Sequence, residues 1–205
     1  MVKVKICGIT NLEDAKTAIA AGCDALGFAF YKKSPRYVSP EKARQIIARL
    51  PMSVTTIGVF VNASEKRVKA IARACRLDMI QFHGEESPAF CRKFARYKVI
   101  KAFRVKDTLD IARIRRYNTF AYLFDSFVKE KPGGTGKTFH WQLIKHLQDL
   151  KQPVFLSGGL TQENVAKAIQ SAHPAWVDVS SGVELVPGKK DAAKVQGFIK
   201  AAKTT

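Results

Sequence analysis

The feature that most constrains the fold of this chain is a strict alternation of strand-like and helix-like segments. Short apolar segments rich in β-branched and aromatic residues alternate with segments whose apolar residues recur at helical spacing. About eight such strand–helix units follow one another along the 205 residues. This alternation predicts a parallel sheet covered by helices, either closed into a barrel or open and doubly wound.

The number of units and the turns after the last two strands favour the closed barrel. Glycine-containing turns follow strands seven and eight, at the place where barrels commonly bind phosphate. No G-x-G-x-x-G motif follows the first strand, as the dinucleotide-binding fingerprint of an open sheet requires. We therefore predict an α/β protein in which residues 1–205 form a single (β/α)8 TIM barrel.

The composition argues against a membrane protein and a metal protein. No apolar run approaches the length of a membrane span, and Lys3 and Lys5 interrupt any signal-peptide pattern at the N-terminus. We expect a soluble, cytoplasmic protein with no membrane partner. The four cysteines lie far apart, and no Cys or His spacing typical of zinc occurs, so we expect neither a metal site nor disulfides.

The charge of the chain raises the question of a nucleic-acid partner. Lys and Arg total 35 against 17 Asp and Glu, which gives a net charge of +18. The basic residues are spread over several helices, and no run reaches the five or six like charges typical of a binding tail. Solvated outer helix faces explain the charge, and we expect no specific nucleic-acid partner. A basic nucleic-acid-binding protein remains the alternative, and it requires clustered charge with exposed aromatic residues.

A thiol ends the first predicted strand. Residues 2–6 alternate apolar and basic side chains, Cys7 follows, and Gly8 breaks the strand before Asn11 caps a helix. Chemistry in parallel α/β folds is placed at this carboxyl end of the strands. Cys7 is therefore a candidate catalytic residue, although most free cysteines are small buried apolar side chains.

Two aspartates belong to other predicted strands. Asp125 ends an apolar strand and no helix starts immediately after it, so a capping role is weakly supported. A carboxyl here, with Cys7 on the same rim, suggests an acid and a base on either side of a substrate. Asp178 lies inside the last strand, where substrate contact and pairing with a neighbouring Lys or Arg are equally good interpretations.

The two glycine turns suggest a phosphate site between Cys7 and Asp125. Glycine lets backbone amides approach an anion, and serine adds hydroxyl donors. Either turn alone is equally well explained as ordinary loop chemistry. The candidate phosphate-binding residues are Gly158, Gly159, Ser180, Ser181 and Gly182.

A third glycine-rich segment, residues 133–138, resembles a nucleotide-binding P-loop only at first sight. The P-loop pattern requires glycine where this chain has Lys131, and it joins a strand directly to a helix. We reject nucleoside triphosphate binding. A lid over the barrel mouth, flexed at Gly133, Gly134 and Gly136, is the better interpretation.

Together these motifs resemble the phosphoribosylanthranilate isomerase family of tryptophan biosynthesis. The resemblance runs in order from Val2 to the last helix and is most specific in Ile-Cys-Gly-Ile-Thr and Ser-Ser-Gly-Val-Glu. It also includes Gln-Phe-His-Gly around His83 and Leu-Ser-Gly-Gly-Leu around Gly158.

This resemblance implies an Amadori rearrangement of N-(5-phosphoribosyl)anthranilate without a metal or redox cofactor. It implies that Asp125 protonates the ribose ring oxygen and that Cys7 removes the C2 proton. It further implies that Arg36, in the loop after strand two, binds the anthranilate carboxylate, and we assign His83 and Asp178 to substrate binding as well. For Cys7, whose class has an ordinary pKa of ~8.5, we expect nearby positive charge or amide dipoles to favour the thiolate.

Two matters stay open at this point. Another phosphate-binding barrel isomerase, acting on an aminoimidazole ribonucleotide, is an alternative, although such enzymes usually employ two aspartates where this chain has Cys7 and Asp125. The oligomeric state, monomer or homodimer, is not given by the sequence. The partner we expect is a small phosphorylated substrate.

Overall fold

The computed structural model describes residues 1–105, 108–126 and 150–205. Within these residues eight parallel strands close into a barrel in sequence order, and β1 pairs with both β2 and β8. The strands are β1 Lys3–Cys7, β2 Ala25–Ala29, β3 Thr55–Phe60, β4 Met79–Phe82, β5 Lys98–Val105, β6 Ala121–Ser126, β7 Val154–Leu156 and β8 Trp176–Val179. The predicted closed barrel is confirmed, and the open-sheet alternative is wrong.

Seven helices in the described ranges connect the strands on the outside of the barrel. They are α1 Leu12–Ala20, α2 Pro40–Ile47, α3 Glu65–Cys75, α4 Pro88–Arg92, α5 Ile111–Arg115, α6 Val165–Ala172 and α7 Ala192–Lys203. Most begin at a side chain that accepts a hydrogen bond from a backbone amide of the first turn, as Asn11 does from Asp14. Proline occupies the first turn of α2 and α4, where its missing N–H costs no hydrogen bond.

The apolar side chains form two layers. Small and large residues that point inward from the strands fill the lower interior of the barrel, among them Ile57, Leu123 and a stacked pair, Phe155 and Trp176, with ring centroids 4.8 Å apart. A larger layer lies between the strands and the helices. The barrel is therefore a packed core, and the buried polar side chains that enter its interior lie toward the carboxyl ends of the strands.

Some elements differ from the sequence prediction. A short 3-10 helix, Ser181–Val183, follows β8, and a small antiparallel hairpin follows it, with strands β9 Glu184–Val186 and β10 Lys189–Lys190. The sequence pattern predicts a helix capped by Thr161, but α6 begins at Val165, although the Thr161 carbonyl already accepts a hydrogen bond of 3.0 Å from the Val165 amide. The predicted helix over residues 140–147 and the predicted lid glycines Gly133, Gly134 and Gly136 lie outside the described residues.

No helix in the described ranges is long and apolar enough to cross a membrane.

Candidate active site

The polar residues selected from the sequence meet in one pocket at the carboxyl ends of the strands. Six of them line it: Cys7, Arg36, His83, Asp125, Asp178 and Ser180. They come from five strands or the loops that follow them, and barrel closure brings the first and the last strand side by side. The walls between the polar groups are largely small or apolar, so the pocket suits a partly aromatic, charged ligand.

Cys7 lies against a fully buried lysine. Lys5 and Cys7 are two residues apart on β1, so their side chains leave the same face of the strand and enter the barrel. The neighbouring residue on β2 is Gly27, and a Cβ atom there would lie only 2.7 Å from the Cys7 Sγ atom. The thiol therefore occupies the space that any other residue at position 27 would fill.

Burial raises the pKa of the Cys7 thiol above its ordinary value. The positive charges of Lys5 and Lys190 act in the opposite direction, but desolvation is the larger effect, and the negative charge of Asp178 adds to it. The expected positive charge beside the thiol is present. The expected net lowering of the Cys7 pKa is wrong, because the thiol is too deeply buried for two partly neutralised lysines to outweigh the loss of water.

Asp125 is oriented by a histidine. Asp125 follows Ala121 and Leu123 on the inward face of β6 and is buried, and its Oδ2 atom lies 3.2 Å from His83 Nε2. His83 Nδ1 in turn lies 2.9 Å from Gln81 Nε2. The structure thus places His83 beside the predicted acid rather than at the outer edge of the pocket.

Asp178 pairs with a basic residue, which is one of the two interpretations that the sequence left open. Its Oδ1 atom lies 3.0 Å from the Lys5 ammonium, and its Oδ2 atom accepts a hydrogen bond of 3.4 Å from the Ser157 hydroxyl. It also lines the pocket. The predicted pairing with a basic residue is confirmed, and contact with substrate stays a prediction.

Arg36 is held in place by a carboxylate. Its Nε and Nη2 atoms donate to the two oxygens of Glu184 at 2.8 and 2.6 Å. Lys190 Nζ lies 3.0 Å from the same carboxylate, and the two cations outweigh burial and lower the pKa of Glu184. A guanidinium has five N–H groups, and Glu184 uses two of them. The remaining edge of Arg36, which lines the pocket, is available for a second carboxylate.

The two glycine turns pack against each other. A Cβ atom at Gly182 would overlap the carbonyl oxygen of Leu160, so only glycine permits this approach. Gly158 and Gly159 have φ angles of 93° and 64°. Residues with a side chain rarely adopt this backbone conformation, and glycine does so readily. Among the described residues the Ser180 hydroxyl is buried without a hydrogen-bond partner. This arrangement has the shape and the donors of an anion site.

The sequence prediction missed three residues of the site: Lys5, Gln81 and Glu184. Lys5 and Gln81 each lie two positions before a selected residue, Cys7 and His83, and share the face of the strand on which that residue lies. Residues two positions apart on a strand lie on the same face, so a polar residue two positions before a catalytic candidate is a signal for a further site residue. Glu184 had no such signal, because its partner Arg36 is 148 residues away in the chain.

A buried ion pair in the same barrel lies outside the pocket. Lys101 on β5 donates to Glu86 at 2.9 Å, and both side chains are buried. The described residues include no group of three or more His, Cys, Asp or Glu side chains placed to hold a metal ion.

The fold and the pocket define a class of protein, a (β/α)8-barrel enzyme with a carboxyl group, a thiol and an arginine on one rim. A comparison with family models assigns the chain more narrowly. The model described as "N-(5'phosphoribosyl)anthranilate (PRA) isomerase" matches residues 4–201. The chain therefore belongs to the N-(5'-phosphoribosyl)anthranilate isomerase family and is an isomerase of tryptophan biosynthesis.

Individual relatives agree with this assignment over their full length. The N-(5'-phosphoribosyl)anthranilate isomerase of Geobacter metallireducens is 50% identical over 203 residues, which cover 99% of this chain and 100% of the relative. That of Geotalea uraniireducens is 52% identical over 203 residues, 99% of each chain.

Solved structures of the family share the whole fold. The crystal structure of phosphoribosyl anthranilate isomerase from Thermotoga maritima is 49% identical, covers 100% of both chains and superposes with a TM-score of 0.94. A further structure, 47% identical with a TM-score of 0.91 over 100% of both chains, holds reduced 1-(o-carboxyphenylamino)-1-deoxyribulose 5-phosphate. The family expected from the sequence is confirmed.

Proposed function

We propose that the chain rearranges N-(5'-phosphoribosyl)anthranilate in this pocket, with Asp125 as the general acid and Cys7 as the general base. The single observation that carries the proposal is the position of these two groups on one rim, in a pocket that Arg36 and Ser180 also line. No other thiol lines the pocket among the described residues, and the other three cysteines are buried elsewhere.

The first step opens the sugar ring. The Asp125 carboxyl gives its proton to the ribose ring oxygen, the bond from that oxygen to C1 breaks, and the nitrogen lone pair forms the C1=N bond of a Schiff base. His83 Nε2 lies 3.2 Å from one oxygen of Asp125 and holds the carboxyl in orientation. This is general acid catalysis by a positioned carboxyl group.

The second step moves the double bond. The Cys7 thiolate removes the proton on C2, and the electron pair forms a C1=C2 bond while the C1=N electrons return to nitrogen. The resulting enolamine loses its C2 hydroxyl proton and gains a proton at C1, which gives the ketone. Lys5 beside Cys7 counters part of the cost of forming a buried thiolate.

Three further groups hold the ends of the substrate. We place the phosphate against Gly158, Gly159, Ser180, Ser181 and Gly182, where the Ser180 hydroxyl lacks a hydrogen-bond partner among the described residues. The outward edge of Arg36 receives the anthranilate carboxylate, because Glu184 fixes the guanidinium from behind. Asp178 is placed to accept a hydrogen bond from a ribose hydroxyl.

The proposal also covers the localisation, the domain organisation and the partners of the protein. We infer a cytoplasmic enzyme with residues 1–205 as one catalytic domain, a small phosphorylated substrate and no specific nucleic-acid partner. Both monomers and dimers fit the family, since one solved relative from Thermotoga maritima is described as a monomer generated from a dimeric isomerase. Sedimentation of the purified chain decides between them.

The test of the roles is turnover of N-(5'-phosphoribosyl)anthranilate, followed by loss of its fluorescence. We expect activity in the natural chain and a loss of roughly 10²–10⁴-fold in kcat for both Cys7→Ala and Asp125→Asn. Cys91→Ala is the matched control, because Cys91 is buried between helix and barrel and outside the pocket. Unchanged kcat in either active-site variant removes that residue from its role.

A further inference from the structure

A continuous chain of hydrogen bonds joins the lysine beside the base to the acid. The Lys5 ammonium lies 2.8 Å from Gln81 Oε1, Gln81 Nε2 lies 2.9 Å from His83 Nδ1, and His83 Nε2 lies 3.2 Å from Asp125 Oδ2. Lys5 and Gln81 are almost completely buried, at 0% and 1% exposure, so water does not compete for these contacts. This series of hydrogen bonds crosses the polar layer of the barrel from β1 through β4 to β6.

The donor and acceptor of each hydrogen bond in this series are fixed by Lys5, its first residue. An ammonium group can only donate hydrogen bonds, so the oxygen of the Gln81 amide must face Lys5. The NH₂ group of Gln81 then faces His83, and it can only donate. His83 Nδ1 is therefore the acceptor and carries no proton in the neutral ring, so the ring proton is on Nε2.

The opposite orientation of Gln81 is excluded by burial. Turning the amide around would set its NH₂ group against the Lys5 ammonium, with donors facing donors and no water to separate them. The Lys5 ammonium also lies 3.0 Å from Asp178 Oδ1, an ion pair that holds it beside Gln81. Because an ammonium group presents only donors, Gln81 has one orientation in which its contact with Lys5 is a hydrogen bond.

We propose that Gln81 is a positioning residue, which with Lys5 fixes the Nε2–H tautomer of His83 and thereby determines which oxygen of Asp125 delivers the proton. His83 Nε2–H donates to Oδ2 of Asp125. The proton that the carboxyl transfers is then on Oδ1, the oxygen that His83 leaves free. The proposal rests on the acid role proposed above for Asp125, but the tautomer itself does not.

The proposal predicts a change of the His83 tautomer when Gln81 is replaced by glutamate, which can accept hydrogen bonds from both Lys5 and His83. Glutamate at position 81 still accepts from Lys5, but its second oxygen accepts from His83 as well, which draws a proton onto Nδ1. The neutral ring then presents a bare Nε2 to Asp125, and the carboxyl must donate to the histidine instead of to the substrate. Gln81→Glu therefore diverts the proton that the reaction needs, with no loss of side-chain volume.

The experiment is long-range ¹H–¹⁵N NMR of the imidazole nitrogens in the full chain, with kinetics on the same samples. His83→Asn identifies the His83 signals among the four histidines. In the natural chain we expect Nε2 to be protonated and Nδ1 to be bare. In Gln81→Glu we expect Nδ1 to gain the proton and kcat to fall by about 10²-fold, with KM changed far less.

Gln81→Met is the matched variant, because it keeps the length of the side chain and removes both hydrogen bonds. We expect a mixture of the two His83 tautomers and a kcat between those of the natural chain and Gln81→Glu. A purely structural role for Gln81 predicts a lower melting temperature in both variants with no change of tautomer, and that result overturns the proposal.

Each remaining outcome is decisive as well. A proton on Nδ1 of His83 in the natural chain overturns the proposal, and this measurement needs no variant to fold. A tautomer that switches in Gln81→Glu without loss of kcat overturns the link to Asp125. An Nε2–H tautomer in a natural chain whose Asp125→Asn variant keeps full activity supports the hydrogen-bond direction and refutes the acid role, so the two failures are distinguishable.

Discussion

At the scale of single residues, the site depends on how each titratable group is buried and paired. Cys7 has its pKa raised by burial, and two lysines offset this only in part. The thiol is therefore mostly protonated in the resting enzyme near neutral pH, and the thiolate must form against that equilibrium. A raised thiol pKa also protects the residue, because the thiolate is the form that alkylating agents and oxidants attack.

The first prediction concerns the titration of Cys7. Below its pKa the thiolate fraction rises about tenfold for each pH unit, so alkylation by iodoacetamide should still be accelerating above the ordinary thiol pKa of ~8.5. The other cysteines are buried, and burial raises the pKa of Cys23 to about 12 and that of Cys91 to about 11. Modification should therefore be confined to Cys7, as mass spectrometry of the digested protein would show.

The same titration should appear in catalysis. Because the base is the thiolate, kcat/KM should rise with pH through the raised pKa of Cys7 and should fall as the pH is lowered. Cys7→Ala provides the blank for the alkylation experiment. A midpoint well below ~8.5 in both measurements contradicts a thiol pKa raised by burial.

At the scale of elements, the site is assembled by the turns that follow β1, β7 and β8. Gly8 lies so close to Arg36 that a Cβ atom would be 2.7 Å from its Cδ atom, and Gly182 approaches the Leu160 carbonyl in the same way. The hairpin of β9 and β10 then brings Glu184 and Lys190 behind Arg36. Short connections between strands thus hold one cationic group and one anion site at a fixed separation.

The second prediction tests the contact between the last two turns. Gly182→Ala places a Cβ atom where the Leu160 carbonyl oxygen lies, so the β8 turn must move away from the β7 turn. Overpacking of this kind typically costs about 1–3 kcal/mol of stability. Displacement of the anion site by about 1 Å should lower kcat/KM by up to about 10²-fold, and it should weaken competitive inhibition by inorganic phosphate.

Gly22→Ala is the control for that substitution. Gly22 also has a positive φ angle, 92°, but it precedes β2 at the opposite end of the barrel, and a methyl group added there would have no neighbouring atom within 4 Å. Alanine at this position should lower the melting temperature without changing kcat/KM or phosphate inhibition. Equal kinetic effects of the two substitutions count against a phosphate site at the β8 turn.

At the scale of the whole molecule, the excess of positive charge favours an anionic substrate. The net charge is +18, and the proposed substrate carries a phosphate and a carboxylate. A summed positive field raises the local concentration of such a ligand and its rate of association. We therefore expect the dispersed lysines and arginines to assist binding of the anionic substrate through this field.

The third prediction follows from that field. Raising NaCl from about 0.01 M to about 1 M shortens the screening length from about 30 Å to about 3 Å. We expect kcat/KM to fall on the order of tenfold over this range, while kcat at saturating substrate stays nearly constant. Steady-state kinetics at constant pH provide the measurement.

A charge variant separates the field from local effects of salt. Lys42 and Lys66 are exposed on α2 and α3 and do not line the pocket. Replacing both with glutamate should reduce the salt dependence of kcat/KM and leave kcat unchanged. A salt dependence that is identical in the double variant assigns the effect to ions competing at the anion site.

The sequence by itself determined the order and type of the eight barrel strands and of the seven described helices. Apolar periodicity, the caps at Asn11 and Ser39 and the prolines of α2 and α4 are local signals, and the structure follows them. It also determined that Cys7 and Asp125 lie at the ends of strands, since a strand boundary is marked by the residues next to it. The family followed from motifs of consecutive residues, which need no knowledge of distant contacts.

The tertiary structure alone decided which of these residues touch. Barrel closure places β8 beside β1, so Asp178 meets Lys5, and it brings Glu184 against Arg36 across 148 residues. It also reverses a simple interpretation of β1: Val4 and Ile6 pack outward against the helices, while Lys5 points into the barrel. The reason is that both faces of a barrel strand are buried, one against the helices and one in the barrel interior. The alternation of apolar and polar residues along the strand therefore does not tell which face points into the barrel. Electrostatic effects such as the raised pKa of Cys7 depend on that same burial, and they too follow only from the closed fold.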